Sequence, residues 1–174
     1  MKDILIETKH LSKCYTSANS LWHTDRQTTK AVDDVSLAIY RGETLGIVGE
    51  SGCGKSTLGR TIIHLQESTG GQIYFNGEDI THVNKKKLYE LRQKMQIIFQ
   101  DPYSSVNPRM TVEQTIQEPL LLSKKYSKKD LAEETARLMD MVGIDQRLRL
   151  SYPHELDGGR RQRVGIGRAL AMNP

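Results

Sequence analysis

Gly49-Glu50-Ser51-Gly52-Cys53-Gly54-Lys55-Ser56 fits the pattern Gly-x-x-x-x-Gly-Lys-Ser/Thr. It is flanked by the apolar run Thr44-Leu45-Gly46-Ile47-Val48 and by a stretch with helical spacing. The run reads as a strand entering the loop, and a helix is expected from Lys55 to about Ile63. Glycines let the backbone curl so that successive N–H groups face one anion, and the helix adds the positive end of its dipole. In that setting Lys55 is expected to reach the β and γ phosphates of a nucleoside triphosphate such as ATP, and the Ser56 hydroxyl to ligate Mg²⁺. Thr57 completes the candidate phosphate-binding set. The bland alternative is a glycine turn without a ligand, which does not account for the strand before it and the helix after it. Cys53 sits at a variable position of the pattern and is expected to be a small buried thiol.

Outward from the loop, Ile4-Leu5-Ile6 reads as a short strand and Val35 to Ile39 as a half-buried one. The polar stretch Thr16 to Lys30, with Trp22 inside it, reads as a long connection of low order. Gln72 to Phe75 is a strand followed by the turn dipeptide Asn76-Gly77. A short basic helix is expected over Lys85 to Gln93, and a further strand over Met95 to Phe99. From Thr111 the pattern is helical: Lys128 to Val142 is amphipathic and closed by Gly143, and a last helix runs from about Gly159 to Met172. The expected fold class is α/β, with an N-terminal β-rich part, a P-loop core and a helical insert.

Composition narrows the function classes. With 37% apolar and 26% charged residues, the chain has the make-up of a globular protein. No stretch approaches the ~20 apolar residues of a membrane span, and the N-terminus lacks the pattern of a secretory signal, so a cytoplasmic location is expected. Cys14 and Cys53 have no metal-ligand spacing. Lys and Arg number 25 against 21 Asp and Glu, a mild surplus. It gathers at Lys85 to Lys87, Lys124 to Lys129 and Arg160 to Arg168, where solvated helix faces compete with an anionic-membrane or nucleic-acid patch.

Three further segments choose among P-loop classes. Leu11-Ser12-Lys13-Cys14-Tyr15 resembles the segment of ABC ATPases whose aromatic residue stacks on adenine, which implies that Tyr15 is the base platform. Ile97-Ile98-Phe99-Gln100-Asp101-Pro102-Tyr103-Ser104-Ser105-Val106-Asn107-Pro108-Arg109 resembles the Q-loop of the ATP-binding subunits of oligopeptide and dipeptide importers. That implies a role for Gln100 toward Mg²⁺ and water, and contact with a membrane subunit beyond it. His154-Glu155-Leu156-Asp157-Gly158-Gly159-Arg160-Arg161 resembles the ABC signature segment. The resemblance covers nearly the whole chain. It implies ATP and Mg²⁺ as cofactors, and a second ATP-binding subunit, transmembrane permease subunits and, indirectly, a peptide-binding protein as partners. It also implies a place on the inner face of the cell membrane, with no nucleic acid expected.

Two departures qualify it. The family's signature serine position is Asp157 and its glutamine position is Arg160. Aspartate caps a helix as well as serine does, but its charge opposes a phosphate, which predicts weakened ATP-driven closure of a dimer. The family also continues past Asn173-Pro174 into a strand ending in Asp-Glu and then to a switch histidine. The expectation is therefore a partial ABC domain over 1–174, divided as 1–100, 101–158 and 159–174, with an incomplete core, no identifiable catalytic residue and poor hydrolysis on its own. A nucleotide-binding module without turnover is one alternative. A P-loop kinase or nucleic-acid enzyme using Asp101 as metal ligand is another.

Overall fold

The computed structural model describes residues 3–16, 28–101 and 106–174. Trp22 and the centre of the polar stretch lie outside the described residues, as do Pro102 to Ser105 of the Q-loop resemblance. The chain divides into two compact units, Met1–Tyr89 and Glu90–Pro174.

The first unit is an antiparallel sheet with one helix. Strands β1 (Ile4–Thr16) and β2 (Thr28–Tyr40) are each much longer than their apolar cores Ile4 to Ile6 and Val35 to Ile39 suggest. Backbone pairing carries the ladder through polar residues as far as Thr16 opposite Thr28. Strands β3 (Gly70–Phe75) and β4 (Glu78–Asp79) complete the order β2-β1-β3-β4. The β3–β4 hairpin turns on Asn76 and Gly77, both at positive φ (50° and 77°), the conformation that a two-residue hairpin turn of this hand requires. The β1–β2 ladder shifts register on either side of Leu11, and His10 and Asp34 take left-handed backbone there, joined by a 2.6 Å contact between His10 Nδ1 and Asp34 Oδ1. Leu11, Val32 and Ile73 are buried from the sheet, and Leu58 and Ile62 from helix α1 (Lys55–Ile62), which packs on β1 and β2. Thr8, also buried, is satisfied: its hydroxyl donates to the Val35 carbonyl at 3.1 Å and accepts from the Leu37 N–H at 3.2 Å. Burial without such partners would cost on the order of 1–3 kcal/mol.

Helix α2 (Lys85–Lys94) forms where the lysine run predicts it. The second unit's core is helical. Helices α3 (Val112–Ser123), α4 (Lys128–Met141) and α5 (Gly158–Leu170) bury Ile116, Leu120, Leu138, Met139 and Val164 against one another. Each starts on a side-chain cap, Thr111, Ser127 and Asp157 respectively, and the first two are reciprocal capping boxes. The pattern Leu131, Thr135, Leu138, Met139 puts one face of α4 inward, as its spacing predicts.

Two expected strands are absent. Residues 43–50 and 95–99 carry no regular secondary structure, and Val48 is 93% exposed. A strand exists only as a hydrogen-bonded neighbour of another, and the described sheet pairs neither segment. Apolar runs without polar alternation are what strands buried on both faces look like; propensity alone does not supply the partner.

Candidate functional site

Lys55 opens α1 directly after Gly54, which holds φ 95° at the N-cap position. Gly54 cannot carry a side chain: a Cβ there would lie 2.0 Å from the Ala31 carbonyl oxygen on β2. The end of the loop is thereby held against β2. No side chain caps α1, whereas α3, α4 and α5 each carry a capping oxygen. An uncapped helix start behind a glycine curl suits an anion.

The Lys55 ammonium lies across its own loop. It donates to the carbonyl oxygens of Gly49 at 2.8 Å and Glu50 at 2.6 Å, and stands 3.6 Å from Cys53 Sγ. All three ammonium directions are therefore spent inside the loop, and the soft sulfur contact is the weakest to exchange for a phosphate oxygen. The expectation that Cys53 is buried is corrected: the thiol is exposed. The loop's curl turns it toward Gly49, where a Cβ would come within 2.8 Å of the sulfur. Ser51, Gly52 and Ser56 are exposed as well, leaving the Ser56 hydroxyl accessible at the second helical position. Uncapped N–H groups, a lysine within the loop and a neighbouring free-facing hydroxyl fit a phosphate with its Mg²⁺.

Beside the loop is a cavity of about 280 Å³, lined by Ala31, Val32 and Asp33 of β2 together with Ile47, Cys53, Lys55 and Leu58. Sequence reading misses the β2 residues. They carry no motif, and only the packing of α1 on the sheet brings Ala31 to Gly54. Tyr15 lies opposite Thr29 on the β1–β2 ladder, two residues before Ala31. Its ring is exposed, its hydroxyl donates to Gln66 Oε1 at 2.7 Å, and the Lys13 ammonium stands 5.2 Å from the ring centroid.

Gln100 and the segment Leu156 to Arg160 belong to the second unit. Gln100 is exposed at a bend. Leu156 is buried in the helical core, which fixes the start of α5. Asp157 accepts from the Arg160 N–H at 2.8 Å and its other oxygen meets Arg160 Nε at 3.4 Å. The backbone hydrogen bond from Arg160, with that guanidinium's charge, holds the carboxyl below its usual range. The position therefore carries a full negative charge, capped and partly neutralised within its own turn. Gly158, Gly159 and Arg160 form that first turn.

Comparison with known proteins settles the family. The ABC transporter family model matches residues 32–174. The chain belongs to the ABC transporter family. An oligopeptide transport ATP-binding protein, OppF of Bacillus subtilis, is 51% identical over 100% of this chain and 55% of its own length. The dipeptide transport ATP-binding protein DppF of Escherichia coli is 41% identical over 98% of this chain and 51% of its own. The chain thus spans about half the length of these curated relatives. Among solved structures, the ATP-binding cassette MJ0796, described as dimeric and bound to ADP and Pi, superposes with a TM-score of 0.85 at 28% identity, covering 98% of this chain and 71% of that one. CbiO1 of Clostridium perfringens, part of the transporter complex cbiONQ, gives 0.79 at 25% identity, covering 99% and 63%. The α/β P-loop fold class expected from sequence is that of these cassettes. Among the described residues no helix is long and apolar enough to cross a membrane.

Proposed function

We propose that these residues form the nucleotide-binding part of an ABC ATPase that energises import of oligopeptides or dipeptides. The carrying observation is an α1 that starts without a side-chain cap behind a glycine curl, at a Gly54 whose close approach to the Ala31 carbonyl leaves no room for a side chain. In this reading the backbone of Gly49 to Thr57 cradles the ATP phosphates, Lys55 gives up its Cys53 contact to reach them, and Ser56 holds Mg²⁺. Mg²⁺, when bound, offsets charge on the β and γ oxygens. Tyr15 would serve as the adenine platform, one strand from Ala31, and Gln100, in the second unit, carries the role toward Mg²⁺ and water that its Q-loop resemblance implies. The peptide class rests on the names of the relatives and on the Gln100 to Arg109 resemblance. A second ATP-binding subunit, permease subunits and a place on the cytoplasmic face of the membrane belong to the same proposal.

A second reading keeps binding and drops turnover. It is favoured by the capped, charged Asp157 in the segment that resembles the ABC signature. The two are separated by titrating ATP into the chain and, on the same sample, measuring phosphate release. Lys55→Ala is expected to weaken ATP binding by about 10- to 100-fold, the worth of a charge-assisted hydrogen bond of ~1.5–3 kcal/mol. Equal affinity in parent and variant would sink the phosphate-binding reading. Binding without phosphate release would select the module.

A further inference from the structure

Some members of two of the three basic clusters are engaged within the chain. Lys87 pairs with Glu78 at 2.6 Å, and Arg161 and Arg163 donate to the carbonyl oxygens of Leu156 and Gly143. The third, at the tip of the α3–α4 hairpin, is different. Lys124, Lys125 and Lys128 are exposed and pair with no carboxylate among the described residues, while Lys129 makes only a 3.8 Å contact with Glu133 in its own helix.

The same tip exposes apolar surface. Helix α3 turns Val112, Thr115, Ile116 and Leu120 into the core. Leu121 and Leu122 fall outside that stripe and are 58% and 64% exposed, and Tyr126 is 40% exposed. The backbone that carries them is held in place. Lys124 closes α3 in left-handed conformation with its N–H on the Leu121 carbonyl, Ser123 Oγ donates to the Leu120 carbonyl at 2.6 Å, and Ser127 opens α4 in a reciprocal cap with Asp130. Two leucines, an amphipathic aromatic and a group of uncompensated lysines are therefore presented together on a fixed turn nine residues long or less.

We propose that this tip docks on an anionic lipid surface, with Leu121 and Leu122 entering the boundary of headgroup and acyl chain and the lysines pairing with lipid phosphates. Apolar insertion beside basic charge is the chemistry of interfacial membrane binding, and tyrosine favours that depth. A single-stranded nucleic acid would use the lysines but leave the leucines in water, since it is gripped by stacking on aromatics. A direct lipid contact requires no permease subunit and does not depend on nucleotide binding at Gly49 to Ser56.

The test is co-sedimentation of the full chain with vesicles of phosphatidylglycerol and phosphatidylethanolamine, against vesicles of phosphatidylcholine. Binding to the anionic vesicles is expected, weakening as salt rises. Each lysine at such a surface contributes roughly fivefold, so Lys124→Gln, Lys125→Gln and Lys128→Gln together should weaken binding about a hundredfold. Leu121→Ser with Leu122→Ser should remove the part that survives high salt. A variant with arginine at the three lysine positions should bind like the parent, and its failure to do so would overturn the charge argument. Equal pelleting with both vesicle types, an unchanged glutamine variant, or RNA capture in place of vesicle binding would each overturn the proposal. ATP affinity, measured on every variant, reports independently on the P-loop.

Discussion

The carbonyl oxygen of Ala31 stands so near Gly54 that a Cβ at this position would lie 2.0 Å from it. Gly54 also holds φ 95°. Gly54→Ala is therefore expected to strain backbone and contact together, lowering stability by on the order of 1–3 kcal/mol and weakening ATP binding. Gly59, inside α1 with nothing within 4 Å of a built Cβ, is the control. Gly59→Ala should stabilise by about 0.5–1 kcal/mol. Thermal melts of the two variants check both signs.

Asp157 caps α5 and carries its charge in the segment that resembles the ABC signature. Asp157→Ser keeps a capping oxygen and removes the charge, so the melting temperature should hold while ATP-dependent dimerisation increases. Asp157→Ala removes both, and its melting temperature should fall. Size-exclusion chromatography with ATP reads the dimer; no gain with serine would dismiss the electrostatic argument.

Glu113, in the first turn of α3, accepts from the Arg149 guanidinium and from Gln117, and the Arg149 hydrogen bond holds its carboxyl below the ordinary 4.5. A lowered folded-state value means that the contribution is present above the unfolded pKa and is lost as pH falls through the folded one. Glu113→Gln should flatten the acid limb of a melting temperature against pH profile. At neutral pH its cost should be on the order of 1 kcal/mol at most, because Arg149 is partly exposed.

Leu138 is fully buried among α3, α4 and α5. Leu138→Ala should cost about 2–5 kcal/mol, enough to unfold much of the helical unit, as urea titration followed by helical circular dichroism would report.

The features readable in the sequence are those with local causes. Helix α1 starts at Lys55 because the glycine curl precedes it, the β3–β4 turn sits on Asn76-Gly77, and α4 follows its own apolar spacing to Met141. Asp157 caps α5 by a hydrogen bond within three residues. The misreadings are non-local. Thr44 to Val48 and Met95 to Phe99 have the residues of strands without a paired neighbour. β1 and β2 run past their apolar cores because each pairs with the other. Cys53 is exposed although small thiols are usually buried, because the loop that carries it faces outward.

By itself the sequence determined the glycine-loop pattern, where the helices begin to within a residue or so, and the family resemblance, since each rests on residue types at fixed short spacing. Only the tertiary structure decided that Ala31 seals Gly54, that Lys55 spends its donors on Gly49, Glu50 and Cys53, and that Leu121, Leu122 and the neighbouring lysines share one hairpin tip. The physical reason is that pairing, contact and exposure are properties of the folded surface, which residue types alone do not fix, whether the partners are neighbours in the chain or, like Ala31 and Gly54, far apart in it.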